Sequence, residues 1–231
     1  MIELESISIH FSGRPVLQNL SLQVPAGRIF GVLGGNGAGK STMLNIILGF
    51  LKPDSGRVRV DGVDPGRNAA DARARIAYIP ESVALYPELS GEENLAYFAG
   101  IAGCRLSAVE TRRLLNRVGL RDADAPRRLG QYSKGMRQRV ALALALARQA
   151  RVLLLDEPTT GLDPEAATQL ATLLRELSSE GAAILLTTHD LWHLSLDTDE
   201  IGILRGGCLA AQFHAADLSP QQLAQAYLEP R

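Results

Sequence analysis

Nine residues, Gly34-Gly35-Asn36-Gly37-Ala38-Gly39-Lys40-Ser41-Thr42, make the strongest chemical statement in the chain. They fit the spacing G-x-x-x-x-G-K-[ST], and they lie between the strand-like RIFGVL and the helix-like STMLNIILGFL, the context that such a phosphate loop requires. Glycines without a Cβ let backbone amides turn inward on an anion. Lys40 is then placed for β- and γ-phosphates, and the Ser41 hydroxyl for Mg²⁺. A second candidate is RVLLLDE, residues 151–157, which closes an apolar strand with Asp156, suited to Mg²⁺, and Glu157, suited to polarising a water. A third is AAILLTTHD, whose His189 ends another strand where it could donate to a γ-phosphate. YSKGMRQRV, residues 132–140, supplies a second helix start with anion-binding features: Ser133 as N-cap, exposed amides, and Gly135 leaving the backbone open.

The elements that must position these residues follow from periodicity. IELESISI, VLQNLSLQV and RIFGVL read as strands, as do the alternating segment after LKPDSG and then ARIAYIP. From about Glu81 to Arg148 strands stop. Ser90 with Glu93 predicts a capped helix, SAVETRRLLNRVGL is amphipathic and closes at Gly119, and the helix that starts at Ser133 follows. RVLLLDE is apolar throughout, as a central parallel strand should be. A helix near 165–180, the strand AAILLTT and a hairpin turning at Gly206-Gly207 complete the pattern, and SPQQLAQAYLEPR predicts one short terminal helix. The expectation is an α/β core interrupted by a helical lobe.

Composition narrows the function. A net charge of −1 over 231 residues leaves no electrostatic footprint for nucleic acid. Cys104 and Cys208 have neither CxxC nor metal-ligand spacing and fit a reduced, intracellular setting. MIELESISIHF alternates like a strand rather than a leader, and the longest apolar run, Val140–Ala147, is far short of the roughly 20 residues that cross a bilayer. Any membrane-spanning part is expected on another chain. The absence of an NKxD base-reading motif argues against a GTPase.

GGNGAGKST, YSKGMRQRV, VLLLDEPTTGLDP and TTHD, in this order and spacing, resemble the nucleotide-binding subunit of ABC transporters, over residues 2–212. The resemblance implies a P-loop NTPase (RecA-like) α/β core with an antiparallel β-subdomain (1–82 and 149–218), an inserted α-helical signature subdomain (83–148) and a short tail (219–231). It implies ATP and Mg²⁺ as ligands. ATP would contact Phe11, as an aromatic on the adenine, Gly34 to Thr42, Glu81 and Asp156, with Ser41, Asp156 and Glu81 at the Mg²⁺ and Lys40, Glu157 and His189 in catalysis. It implies a head-to-tail homodimer in which Ser133 and Gly135 act on the partner's ATP and Asp163 lies in a loop crossing the dimer. It also implies a separate transmembrane permease and a peripheral place on the cytoplasmic face of the membrane.

Two departures stand out. The family signature is commonly LSGGQ, and here it is YSKGM, with Lys134 replacing the first glycine. Glutamine is usual where YIPES places Glu81. Both variants are similar to those of bacterial exporter-type systems. ESVALYPELSGEENL, with Leu85, Tyr86 and Leu89, is expected to line a groove for a short helix of the membrane subunit. Two other expectations share the motifs: a membrane-associated ABC ATPase doing signalling or mechanical work, and an ABC ATPase acting on DNA or ribosomes. The second would need a long coiled coil or a second cassette, and neither occurs here.

Overall fold

The computed structural model of the protein describes residues 1–190 and 198–228. The chain opens with β1 (Ile2–Phe11) and β2 (Arg14–Val24), which pair antiparallel from Ile2↔Val24 to Phe11↔Arg14. After β3 (Ile29–Leu33) and α1 (Lys40–Ile47), β4 (Ser55–Val60) joins β1 to close a three-stranded antiparallel sheet, order β2-β1-β4. Alternation builds this layer: Ile2, Leu4, Val24, Val58 and Val60 are buried while Glu3, Gln23 and Arg59 pair on the other face.

Short α2 (Ala69–Arg75) leads into β5 (Ile76–Ile79), and then the helical lobe begins: α3 (Gly91–Ile101), α4 (Ala108–Arg117) and α5 (Lys134–Ala147). The chain returns to β6 (Val152–Asp156), α6 (Pro164–Ser179), β7 (Ala183–Thr188), β8 (Glu200–Arg205), β9 (Cys208–His214) and α7 (Pro220–Leu228). The main sheet runs β5-β6-β7-β3-β8-β9. Its pairs are parallel from β5 to β8, and only β9 turns back, through Gly206 and Gly207 at φ +54° and +81°. Positive φ at both central residues is the turn whose twist suits a two-residue hairpin. β3 is buried along its whole length, and so is β6 except at Asp156, which explains their unbroken apolar sequences.

Two layers of side chains sandwich this sheet. Ile46 and Ile47 of α1 and the inner face of the antiparallel sheet pack on Phe30 and Leu154. On the opposite side, Leu170, Leu174 and Leu177 of α6 share a cluster with Leu153 and Leu155 and with Leu115, Val140 and Leu142 of the lobe. The lobe is thus continuous with the main core. α5 packs against α3, α4 and β5 together, so its run VALALALA is apolar on more than one face. The expected helix starts are present: Ser90 and Glu93 make the reciprocal cap of α3, and Ser133 accepts the amide of Met136 at 3.2 Å to cap α5. Ser107 and Glu110 make a further reciprocal cap, on α4.

Candidate active site

Because the strands are parallel, the loops after β3, β5, β6 and β7 leave the same edge of the sheet, where ligands of open α/β sheets bind. A cavity of about 290 Å³ there is lined by Gly35 to Thr42, Glu81, Asp156, Glu157 and Val16. Gly39 shows why the loop needs glycine. Its φ is +108°, and a Cβ there would lie 2.6 Å from the Leu17 side chain and 3.0 Å from the Val16 carbonyl. The β1–β2 hairpin therefore presses directly on the start of α1. At the other end of the loop, the Gly34 amide bonds the Thr188 carbonyl at 3.1 Å, tying the loop to β7.

Lys40 is 8% exposed, so its ammonium needs partners. It donates to the Gly34 carbonyl at 2.5 Å and sits 3.2 Å from Glu157 Oε1. Glu157 Oε2 lies 2.8 Å from His189 Nδ1 and accepts the His189 amide at 3.2 Å. Burial by itself would raise the Glu157 carboxyl; hydrogen bonds from His189 and Lys40 and the Lys40 charge outweigh it and hold the group below the usual glutamate range. An ionised carboxylate only accepts, so Nδ1 of His189 carries the proton. Glu157 is itself held at φ +48°, a left-handed backbone that a non-glycine residue rarely takes. Its amide is fixed by the Thr187 carbonyl at 2.9 Å.

Asp156 accepts the Thr187 hydroxyl at 2.5 Å through Oδ1. Burial, followed by the charge of Asp156 and a hydrogen bond to it, pushes the Tyr78 phenol up. Ser41, Glu81 and Asp156 line the one cavity and offer a hydroxyl and two carboxylates, the hard oxygen donors that Mg²⁺ takes. Among the described residues, no three acidic, histidine or cysteine side chains cluster into a cation cage, so a divalent ion here would complete its shell with phosphate and water. The donor set fits Mg²⁺.

The other expected site residues lie apart. Ser133 and Gly135 are absent from the lining of the phosphate cavity. Their helix start faces the segment after β6: Gly135 packs near Leu162 and Ala166, Lys134 Nζ donates to the Thr160 carbonyl at 2.6 Å, and Gln138 Nε2 to the Pro158 carbonyl at 2.8 Å. Tyr132, where the family has leucine, is buried and its hydroxyl donates to the Asp124 carbonyl at 2.7 Å, so the aromatic is tied into the lobe. Asp163 caps α6 through the Ala166 amide at 2.8 Å. Phe11, 44% exposed at the tip of the first hairpin, is outside the cavity lining.

The ABC transporter family model matches residues 17–160, more than half of the chain. The chain belongs to the ABC transporter family. A daunorubicin resistance ATP-binding protein of Streptomyces coeruleorubidus is 36% identical over 222 residues, covering 95% of this chain and 70% of that protein. A Nod factor export ATP-binding protein of Paraburkholderia xenovorans is 39% identical over 191 residues, 81% of this chain and 62% of that protein. Among solved structures, an ATP-binding cassette determined as a dimer in a post-hydrolysis state with ADP and Pi superposes with a TM-score of 0.81 at 27% identity, covering 93% and 99% of the two chains. The α/β P-loop fold with its antiparallel sheet and helices, expected from sequence, is the fold of this ABC ATPase.

Thr187, Val16 and Leu17 support the site without a motif of their own. Thr187 is one hydroxyl residue near the end of a strand, with nothing in its spacing to mark a bond to Asp156. Val16 and Leu17 open the segment VLQNLSLQV, which reads as a strand with no signal that it abuts the phosphate loop. The only available hint was a hydroxyl inside an otherwise apolar run, ILLTT.

Proposed function

We propose that this ABC ATPase binds MgATP at the C-terminal edge of its parallel sheet and hydrolyses it as a head-to-tail homodimer, powering a separate membrane-spanning subunit. One observation carries the reading. The cradle that holds Lys40, Ser41, Asp156, Glu157 and Glu81 is complete on one side, while Ser133 and Gly135, the second anion-binding helix start, lie outside that cavity in the same chain. A second copy can bring its own pair to the open side.

Lys40 exchanges its partners when ATP binds. Its ammonium is held between the Gly34 carbonyl and Glu157, and triphosphate oxygens replace those partners with a stronger anion. Glu157 Oε1 then loses its cation and is free to orient a water, while His189 keeps Oε2 in place. Glu157 then accepts the water's proton and directs its oxygen at the γ-phosphate. His189 supports the base through Nδ1 and its amide, and in this reading its ring senses loss of the γ-phosphate. Ser41, Asp156 and Glu81 would hold Mg²⁺, which would supply neutralisation of phosphate charge. Backbone amides of the loop from Gly35 to Ser41 orient the triphosphate. Phe11 serves as an outer wall for the base, and Asp163 crosses to the partner. The lobe at 83–148 carries the signature as an insertion between the two parts of the core, 1–82 and 149–218, with 219–231 as a tail.

The membrane subunit docks on the lobe. Tyr86 and Tyr97 are 45% and 47% exposed and form, with Phe98, a stacked and edge-on aromatic trio. Asn94 stiffens the loop beneath them by bonding the Tyr86 amide and the Tyr86 and Ser90 carbonyls, each at 2.9 Å. Leu85 of the expected groove packs against the lobe core instead. Docking there places the ATPase on the cytoplasmic face of a membrane. Relatives bearing export and drug-resistance names, together with the Glu81 and Lys134 variants, favour outward transport. The test is light scattering of Glu157→Gln with and without ATP: the expected result is a mass doubled by ATP alone. A variant that stays monomeric at saturating ATP overturns the homodimer.

A further inference from the structure

Thr187 is completely buried at the end of β7. In the parallel ladder it stands opposite Asp156 of β6. Its side chain and its backbone act on the two acidic residues separately. The hydroxyl donates to Asp156 Oδ1 at 2.5 Å, and the carbonyl accepts the Glu157 amide at 2.9 Å. The next residue, Thr188, accepts the Gly34 amide through its carbonyl at 3.1 Å, and His189 donates its amide to Glu157 Oε2 at 3.2 Å. Three successive residues, the last two of β7 and His189 just beyond it, thereby fasten the phosphate loop, the metal-side carboxylate and the base.

The hydroxyl is not what the strand needs. The rest of β7 up to Leu186 is apolar, and a buried position between parallel strands accepts valine, which matches threonine in shape. A hydroxyl taken out of water costs free energy unless it is bonded, and its bonded partner here is Asp156. That bond ties Oδ1 to β7, and the same carboxylate lines the cavity.

We propose that Thr187 is a positioning residue: its hydroxyl orients the Asp156 carboxylate so that one oxygen faces the metal-binding side of the cavity. The inference rests on Asp156 serving Mg²⁺. Thr187 touches neither nucleotide nor metal.

The test compares Thr187→Val, which keeps shape and removes the donor, with Thr187→Ser, which keeps the donor. Mn²⁺ affinity is read by electron paramagnetic resonance in the presence of a non-hydrolysable ATP analogue, and analogue affinity is read separately in chelator. Thr187→Val weakens Mn²⁺ binding about 10-fold, in the range found when partners of metal ligands are removed, and leaves metal-free analogue binding unchanged. Thr187→Ser restores Mn²⁺ binding. Wild-type Mn²⁺ affinity in the valine variant, or a serine variant as weak as the valine one, overturns the inference. Asp156→Asn separates the two levels. If it abolishes Mn²⁺ binding while Thr187→Val does nothing, only the role of Thr187 falls; if it leaves Mn²⁺ binding intact, the metal assignment of Asp156 falls as well. Should the valine variant not fold, Thr187→Ala carries the same comparison.

Discussion

Glu157→Gln separates what the carboxylate does in the free protein from what it does in catalysis. Lys40 Nζ and Glu157 Oε1 are 3.2 Å apart with side chains only 9% and 10% exposed. At an effective dielectric of about 20, charges at that distance attract by about 5 kcal/mol before desolvation is counted. Desolvation returns most of that, and a glutamine carbonyl still accepts from Lys40, so the net loss in the free protein is about 1–2 kcal/mol. For a chain of this size that lowers Tm by about 2–8 °C. In the ATP complex phosphate oxygens hold Lys40, and the loss does not apply. The difference therefore reappears as ATP affinity raised about 5- to 30-fold, while turnover falls by at least about 100-fold because the base is gone. Fluorescent-nucleotide titration and thermal melts in a Ser133→Ala background measure this without dimer formation. The sign with pH follows from the depressed Glu157 carboxyl: its contribution is full above the ordinary glutamate pKa of about 4.3 and is lost as pH falls through the lower folded value. The Tm gap between wild type and variant should close as pH drops from 7 into that acidic range. Unchanged ATP affinity with normal turnover would refute both roles.

Other substitutions probe separate parts of the molecule. Tyr86→Ala removes a half-exposed ring, so Tm should move by no more than a few degrees while co-purification with the membrane subunit is lost; retained assembly and transport would remove the docking assignment. Asp199 accepts the Ile29 amide at 2.7 Å and pairs with Arg175 at 2.9 Å and Arg28 at 3.3 Å. Burial would raise its carboxyl, but these bonds hold it below the usual range. Asp199→Asn should cost about 1–2 kcal/mol at pH 7 by chemical denaturation, with the difference fading as pH falls below about 3.9.

Much of the site was legible because its chemistry is local. A phosphate loop needs glycines and a lysine at fixed spacing, a helix start announces its cap, and a strand buried on both faces is apolar to its last residue. Ser90, Ser133 and the Gly206-Gly207 turn were therefore found where expected. α2 was not, because RNAADARAR has no apolar period and only Ala72 of that helix is buried. It is held by the local Asn68 cap and by Arg75 bonding Asp61 at 2.9 Å, and only the fold brings that second pair together. The pairing of Lys40 with Glu157 and of Thr187 with Asp156 was hidden for the same reason. Each joins residues far apart in sequence through the order of parallel strands, and no periodicity encodes that order. The tether from Lys134 to the Thr160 carbonyl shows what a departure from the family signature can do within one chain.

Complementation between two inactive variants tests the shared site most directly. Lys40→Ala spoils the cradle and Ser133→Ala spoils the signature, the latter at about 1 kcal/mol for the lost helix cap. Mixed in equal amounts, half of the pairs join one chain of each kind, and each such pair has one intact site of its two, so ATPase activity should return to about a quarter of wild type. A mixture as inactive as its components, or a Ser133→Ala protein that hydrolyses ATP at the wild-type rate by itself, would contradict the account.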